Sequence, residues 1–324
     1  MITRRDTLRI LAGSTMLPAA PMAAWAQAGY PDKPLRYIVP FAAGGLTDVM
    51  ARLIGQKLSD GFGQPVIVEN RPGASANLGA DQVARSAPDG YTLLAVTLTH
   101  AVNPSLYSDL PYNVQKDLQP VAHLATSPLV LVVNAASPHK DLKSFLAAAK
   151  ARRFNGGSSG NGTPPHLGLE LLALASGTEF THVPYKGGAP SINDLMGNQI
   201  DFIVSNLPES INAIKGDRLR ALAVTSAKRI PLLPDVPTFA EAGVKGVELE
   251  NWTGMMAPAG TPRPVVDKLA GAAIAALKAP GSAEKISELG FSATGLGPDQ
   301  FGKILNADVE RWRDIVKRRN IKAT

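Results

Sequence analysis

The 324-residue chain contains no cysteine. That absence excludes a disulfide framework, thiolate metal sites, iron–sulfur clusters and a cysteine nucleophile. Neither a G-x-G-x-x-G fingerprint nor a Walker A loop occurs, so no nucleotide cofactor is expected. His123, His139, His166 and His182 lack metal-ligand spacing and are read as structural, so no metal is expected. Charge of one sign is scarce as well: the formal net charge is +6, and the first 26 residues hold three arginines against one aspartate, leaving +4 for the rest. So small and dispersed a surplus is no nucleic-acid footprint. What the chain does have is apolar material, 45% of its residues, together with 30 glycines and 26 prolines. That is ample for packed cores and excludes intrinsic disorder, and the length favours two domains.

Residues 1–26 read as a cleaved export signal. Arg4-Arg5 open it, a mildly apolar run from Ile10 to Met22 follows, and Ala24-Trp25-Ala26 places small residues at both recognition positions. Ala26-Gln27-Ala28 offers a second cut, so cleavage is expected near Ala26 or Ala28. Thr3-Arg4-Arg5-Asp6-Thr7-Leu8-Arg9 is similar to a twin-arginine signal, although Thr7 stands where that pattern prefers Phe, leaving an ordinary secretory route open. Gly13, Ser14, Thr15, Pro18 and Pro21 break the apolar run, and no other segment reaches about 18 uninterrupted apolar residues. The expected location is the periplasm, as a soluble mature protein.

From Pro34 onward, β-branched runs alternate with amphipathic segments. Leu35–Phe41, Pro65–Glu69 and Thr92–Thr97 read as buried parallel strands. Between them fall helices over Thr47–Gly61, with Thr47 as N-cap, and Asn77–Ser86. Pro120–Asn134 is long for one strand. A second alternation follows: helix 142–152, a Gly/Ser loop, helix 167–176, strand 180–185, helix 189–196, strand 200–205, helix 209–215 and strand 219–225. Val247–Ala257 reads as a returning strand, with helices near 264–277, 283–289 and 301–317. The pattern predicts an α/β protein with two sheets and two extended stretches carrying the chain across and back. The cleft between two such units is the default ligand site.

Three glycine-bracketed helix mouths carry the candidate chemistry. The first is Phe41-Ala42-Ala43-Gly44-Gly45-Leu46-Thr47-Asp48, at the carboxyl end of a strand. Paired glycines let backbone approach a ligand, and the first N–H groups of a helix point outward unpaired, so an anion is the natural guest. Asp48 either caps this helix or accepts from a donor on the ligand; a tight turn with no ligand is the plainer alternative. The second is Asn155–His166, containing Ser158, Ser159, Gly160 and Thr163. Gly156-x-Ser158-x-Gly160 formally matches a hydrolase nucleophile elbow, but Arg152-Arg153-Phe154 does not read as a strand and Pro164-Pro165 delay the next helix. A polar ligand loop is preferred over a flexible linker or a serine hydrolase. The third is Tyr185-Lys186-Gly187-Gly188-Ala189, again strand, double glycine, helix. Two such mouths facing across a cleft hold both ends of a dicarboxylate without an arginine. Thr97-Leu98-Thr99-His100 ends the third strand, where crevices form in open sheets, and Ser205 ends a strand of the second half. His100 reads as a polar loop residue or a ligand contact, and Trp252 as a cleft or core residue.

Several strings together resemble one family. They are Pro31-Asp32-Lys33-Pro34-Leu35-Arg36 with Gly44-Gly45-x-x-Asp48, Val68-Glu69-Asn70-Arg71-Pro72-Gly73-Ala74, Ala87-Pro88-Asp89-Gly90-Tyr91-Thr92-Leu93 and His182-Val183-Pro184-Tyr185-Lys186-Gly187-Gly188. Pro234-Asp235-Val236-Pro237-Thr238, Glu241-Ala242-Gly243 and Ala257-Pro258-Ala259-Gly260-Thr261-Pro262 continue the series. In this order, over nearly all of residues 30–316, they resemble the Bug-type (Bordetella uptake gene) substrate-binding proteins of tripartite tricarboxylate transporters. The resemblance implies a two-lobed periplasmic-binding-protein fold of the Venus flytrap, type II-like kind, with crossing strands at the hinge. It implies a mono-, di- or tricarboxylate ligand held between the lobes by backbone N–H groups and waters, and delivery to a two-subunit TctA/TctB-like membrane permease. It maps Phe41, Gly44, Gly45 and Asp48 to the first lobe's loop, and Ser158, Ser159, Gly160, Thr163 and Tyr185 to Ala189 to the second lobe. Leu46 stands where Pro or Ser is common, and Trp252-Thr253-Gly254 replaces Trp-Phe-Gly, both of which reshape the pocket.

The combined expectation is a monomeric, non-enzymatic carboxylate receptor. Lobe 1 is expected over 27–126 plus 254–324 and lobe 2 over 127–253. Two rivals remain at this point: a receptor that docks on a sensor kinase, and an exported serine hydrolase using Ser158.

Overall fold

The computed structural model describes residues 29–322, so the expected export signal over 1–26 and both expected cleavage positions lie outside the described residues. In chain order the first half holds β1 (Leu35–Val39), α1 (Leu46–Phe62), β2 (Val66–Asn70), α2 (Asn77–Ala84), β3 (Thr92–Thr97) and α3 (Leu98–Leu106). The long β4 (Leu118–Asn134) leads to α4 (Leu142–Ala151), β5 (Phe154–Ser158), α5 (Pro164–Ser176), β6 (Phe180–Pro184), α6 (Gly188–Met196), β7 (Phe202–Asn206), α7 (Leu207–Lys215) and β8 (Leu219–Val224). The chain then returns through β9 (Glu250–Pro258) to α8 (Arg263–Lys278), α9 (Ser282–Glu288), β10 (Ser292–Leu296) and α10 (Pro298–Arg319). The α/β expectation holds. No helix among the described residues is long and apolar enough to cross a membrane.

The two predicted sheets are joined through a shared strand. Along the path β2-β1-β3-β9-β4-β7-β5-β6, β10 and β8 attach to β4. β1 runs parallel to β2 and β3, as β5 does to β6 and β7, and the buried β1 and β3 read as near-continuous apolar runs. β4 spans 17 residues, about three times an ordinary strand, and it changes partners part-way. Its first part pairs antiparallel with β9, ending at Pro128↔Glu250; from Leu129↔Asn206 it pairs with β7, and with β8 from Val130. The β4·β9 register slips between Pro120 and Ala122 and again between His123 and Ala125. Such bulges bend a strand and raise its twist. Pro128, which has no N–H to give a ladder, stands where the partner changes.

Several local expectations change. Gly45, not Thr47, is the N-cap of α1. Residues 154–158 form a strand rather than the start of a loop, because Gly156 and Gly157 serve packing. A Cβ on Gly156 would come within 2.4 Å of Leu169 and 2.6 Å of Phe202, and one on Gly157 within 2.5 Å of Ile200. Pro164 and Pro165 do not delay α5. They occupy its first turn, where a missing N–H costs nothing. His100 is not a loop residue: Thr97 is followed at once by α3, which carries Pro104 inside and escaped the sequence pattern with β10.

Candidate functional site

Five helices begin beside one small buried space. Gly45, Leu46 and Thr47 of the α1 mouth line it, with Thr97 and Thr99 of α3, Thr163 and Pro164 of α5, and Asn206 and Glu209 of α7; Phe41, Ser159 and Asn251 complete it. The α6 mouth adjoins through Gly188, where an added Cβ would lie 2.0–2.2 Å from the Glu209 carboxylate atoms. Each helix start presents about half a positive charge and N–H groups without intrahelical partners. Only α3 supplies its own cap: the Thr97 hydroxyl accepts from the Thr99 N–H, and the Thr97 N–H donates to His100 Nδ1. The N-caps of α1, α5, α6 and α7 provide no side-chain capping bond.

The two halves of the sheet touch here. The Ala42 N–H donates to the Lys186 carbonyl at 3.1 Å, and a Cβ on Gly187 would lie 3.1 Å from the Ala42 nitrogen. Across the loops, a Cβ on Gly44 would sit 3.6 Å from the Ala189 Cβ. Gly44 takes φ +80° and Gly187 φ +151°, conformations in which other residues are strained. The cavity is only about 20 Å³, room for one water. A neighbouring cavity of about 170 Å³ is lined by Phe41, Ser159, Gly160, Tyr185 and Lys186 with the 73–76 loop. A larger groove of about 570 Å³ runs beside Trp252 and Trp312, but no glycine mouth opens onto it.

Glu209 fills much of the space between the mouths. Its Oε1 accepts from the Leu46 N–H at 3.1 Å, and its Oε2 accepts from Asn206 Nδ2 at 2.9 Å. The first bond supplies to α1 the cap that Gly45 cannot, from 163 residues away. Burial pushes the Glu209 carboxyl above its ordinary range, against the opposing pull of Asn206, the Leu46 N–H and the nearby Ser159 hydroxyl. Glu209 nonetheless keeps partial exposure. The Thr99 hydroxyl, fully buried on the cavity wall, has no hydrogen-bond partner among the described residues.

The remaining expected residues are placed as follows. Asp48 faces its own loop: it accepts from the Gly44 N–H at 2.9 Å, from Asn70 at 2.9 Å and from Arg52 at 3.0 Å. These bonds outweigh burial and hold its carboxyl below the ordinary value. It neither caps α1 nor has capacity left for a ligand donor. His100 is fully buried behind Phe41, its ring 6.4 Å away, and its Nδ1 serves the α3 cap, so it is no cavity contact. Ser205 lies within β7, bonded to the Asn206 carbonyl. Tyr185 gives its hydroxyl proton to Asp194 at 2.7 Å. Trp252 is core, donating to Asp308 and packed at 5.4 Å against Phe301. A Cβ on Gly254 would meet that same Phe301 ring at 2.6 Å, so the Trp252-Thr253-Gly254 string shapes packing rather than the cavity.

Ser158 is buried and exchanges hydrogen bonds with Gly160. It stands 2.6 Å from His182 Nε2, which revives the geometry of a nucleophile and base. Among the described residues the pair lacks a third member, since His182 Nδ1 has no partner there. Burial, helped by stacked His166, pushes His182 down to about 3, too weak a base to activate a hydroxyl. Among the described residues, no group of three potential ligands is positioned to hold a metal.

Sequence reasoning missed Glu209, Asn206, Asn251 and the 74–76 turn. Asn206-x-x-Glu209 has capping-box spacing, whose ordinary meaning is purely local. Ala74, Ser75 and Ala76 all take positive φ, which no glycine announces.

A family model described as the tripartite tricarboxylate transporter family receptor, TctC, matches residues 50–321. The chain belongs to this family. Protein BugT of Bordetella pertussis is 37% identical to this TctC receptor over 292 residues, 89% of this chain and 90% of BugT. A protein of R. palustris solved with adipate is 36% identical with a TM-score of 0.87, covering 90% of this chain and 99% of its own. MatC of Rhodopseudomonas palustris, solved with bound malate, is 33% identical with a TM-score of 0.85, covering 89% of this chain and all of its own. These likenesses extend to the whole arrangement of the sheet and confirm the fold that the sequence resemblance implied.

Proposed function

We propose that this TctC receptor is an exported periplasmic protein that captures a small carboxylate between two lobes and delivers it to a two-subunit membrane permease. The observation that carries this is the convergence of helix mouths without side-chain caps of their own on a space walled by Thr99, whose hydroxyl has no partner among the described residues. Backbone N–H groups and helix dipoles take an anion there without an arginine. The carboxylates on related proteins, adipate and malate, have the matching chemistry. The export signal over 1–26 fits this location.

The lobes are 27–126 plus 254–324, and 127–253. The hinge lies near Pro128, where β4 changes partners, and opening there separates Ala42 from Lys186 to admit the ligand. The receptor performs no chemistry; the Ser158–His182 pair serves the fold of the second lobe. Calorimetric titration of the mature chain with mono-, di- and tricarboxylates tests the reading. Binding by at least one carboxylate is expected, and exclusive binding of sugars or cations would refute it.

A further inference from the structure

The helix mouths proposed to take the ligand's carboxyl groups already hold one carboxylate, and it belongs to the chain. Glu209 is capped into place by the Leu46 N–H and Asn206, between the α1 and α6 mouths. Both its oxygens accept hydrogen bonds, no cationic side chain among the described residues is bonded to it, and the dipoles, the N–H groups and the nearby Ser159 hydroxyl compensate its charge. A ligand carboxylate arriving at the same mouths meets a like charge a few ångströms away, in a narrow space walled by protein on most sides. Like charges there interact far more strongly than in bulk water. The cavity wall still offers capacity elsewhere: the α5 mouth lacks a side-chain cap, and Thr99 is fully buried with a hydroxyl that has no hydrogen-bond partner among the described residues.

We propose that Glu209 is a specificity-determining residue that supplies one of two anionic groups the site can hold, so that the ligand is a monocarboxylate whose other end donates hydrogen bonds. The ligand's carboxylate goes to the α3 and α5 side, by Thr99 and Thr163. Its ammonium or hydroxyl faces Glu209. A symmetric dicarboxylate is disfavoured because its second carboxylate meets Glu209 rather than bare N–H groups. The inference rests on the carboxylate reading of the site and names which carboxylates it takes.

Matched pairs of probes differing only at one end decide the matter. 6-Aminohexanoate against adipate, and 4-aminobutyrate against succinate, are titrated into the mature protein, Glu209→Gln and Glu209→Ser. Glu209→Gln keeps the shape and one acceptor oxygen for the Leu46 N–H or Asn206 while removing the charge, and near-ultraviolet circular dichroism checks that both variants fold. The wild type is expected to prefer the amino member of a pair by at least tenfold. In both variants that preference is expected to reverse toward the diacid by at least tenfold. Equal or tighter binding of the diacid by the wild type overturns the proposal, as does a preference unchanged by either variant. Binding of other carboxylates with no discrimination between these ends sinks the role of Glu209 and leaves the carboxylate reading standing. If sugars or cations bind and no carboxylate does, that reading falls first and the proposal with it.

Discussion

Gly188 shows how much a single missing Cβ can carry. It opens α6, and its α-carbon faces the Glu209 carboxylate so closely that an alanine there must expel it. The displaced atoms are the end of a flexible side chain, so Gly188→Ala should fold, losing the Leu46 and Asn206 hydrogen bonds. A loss of about 1–3 kcal/mol in denaturant unfolding is expected, falling to near zero in a Glu209→Ala background. Equal losses in both backgrounds would place the carboxylate elsewhere. The histidines give a second prediction. Burial pushes His100 and His123 down to about 4 and His182 to about 3, each below the ordinary 6.5. The unfolded chain therefore binds protons first as pH falls. Stability should be level above pH ~7 and decline from about pH 6.5, by on the order of 1–2 kcal/mol per histidine at pH 5. His182→Gln should decline less steeply; an unchanged slope would assign the acid sensitivity to other groups. Of these residues the sequence made only the glycine pair legible. Glycines announce themselves by type, whereas Glu209 acts on a helix 163 residues away and no local pattern encodes that pairing.

At the scale of elements, periodicity did most of the work and failed where residue type served packing instead of propensity. β1, β3, α1 and α8 were readable because their buried faces recur at the spacing their backbone demands. β5 was not, because its glycines make room for Leu169 and Phe202 and look like a loop. α3 was not, because a proline sits inside it and its cap falls directly on the end of β3, with no connecting residues to mark a boundary. That cap is testable. The Thr97 hydroxyl accepts from the Thr99 N–H, so Thr97→Ala should cost about 1 kcal/mol, read as a lowered denaturant midpoint with unchanged slope. Thr97→Ser, which keeps the oxygen, should restore most of it. An unaltered midpoint in Thr97→Ala would mean that Asn251, which accepts from the Leu98 N–H at 3.4 Å, and His100, which accepts from the Thr97 N–H, hold the helix end without the hydroxyl.

For the molecule as a whole, the sheet joins two halves through β4 while the loops opposite the hinge meet at Ala42–Lys186 and Gly44–Ala189. In the proposed opening of this continuous sheet, the mouths would separate by motion at the partner change near Pro128. Absent cysteines make this motion open to a clean test. The 3.6 Å between a Cβ on Gly44 and the Ala189 Cβ lies within the span a disulfide bridges. Gly44→Cys with Ala189→Cys should therefore cross-link within one chain on oxidation, despite about 1–3 kcal/mol of strain from the φ of +80° at Gly44. The oxidised protein should fail to take up a ligand that the reduced protein binds, and reductant should restore uptake. A ligand loaded before oxidation should in turn be trapped, released only when the bridge is reduced. If the oxidised protein binds and releases ligand as fast as the reduced one, entry does not require the loops to part, and the site must be reached through the 170 Å³ cavity beside Tyr185 and Lys186 instead.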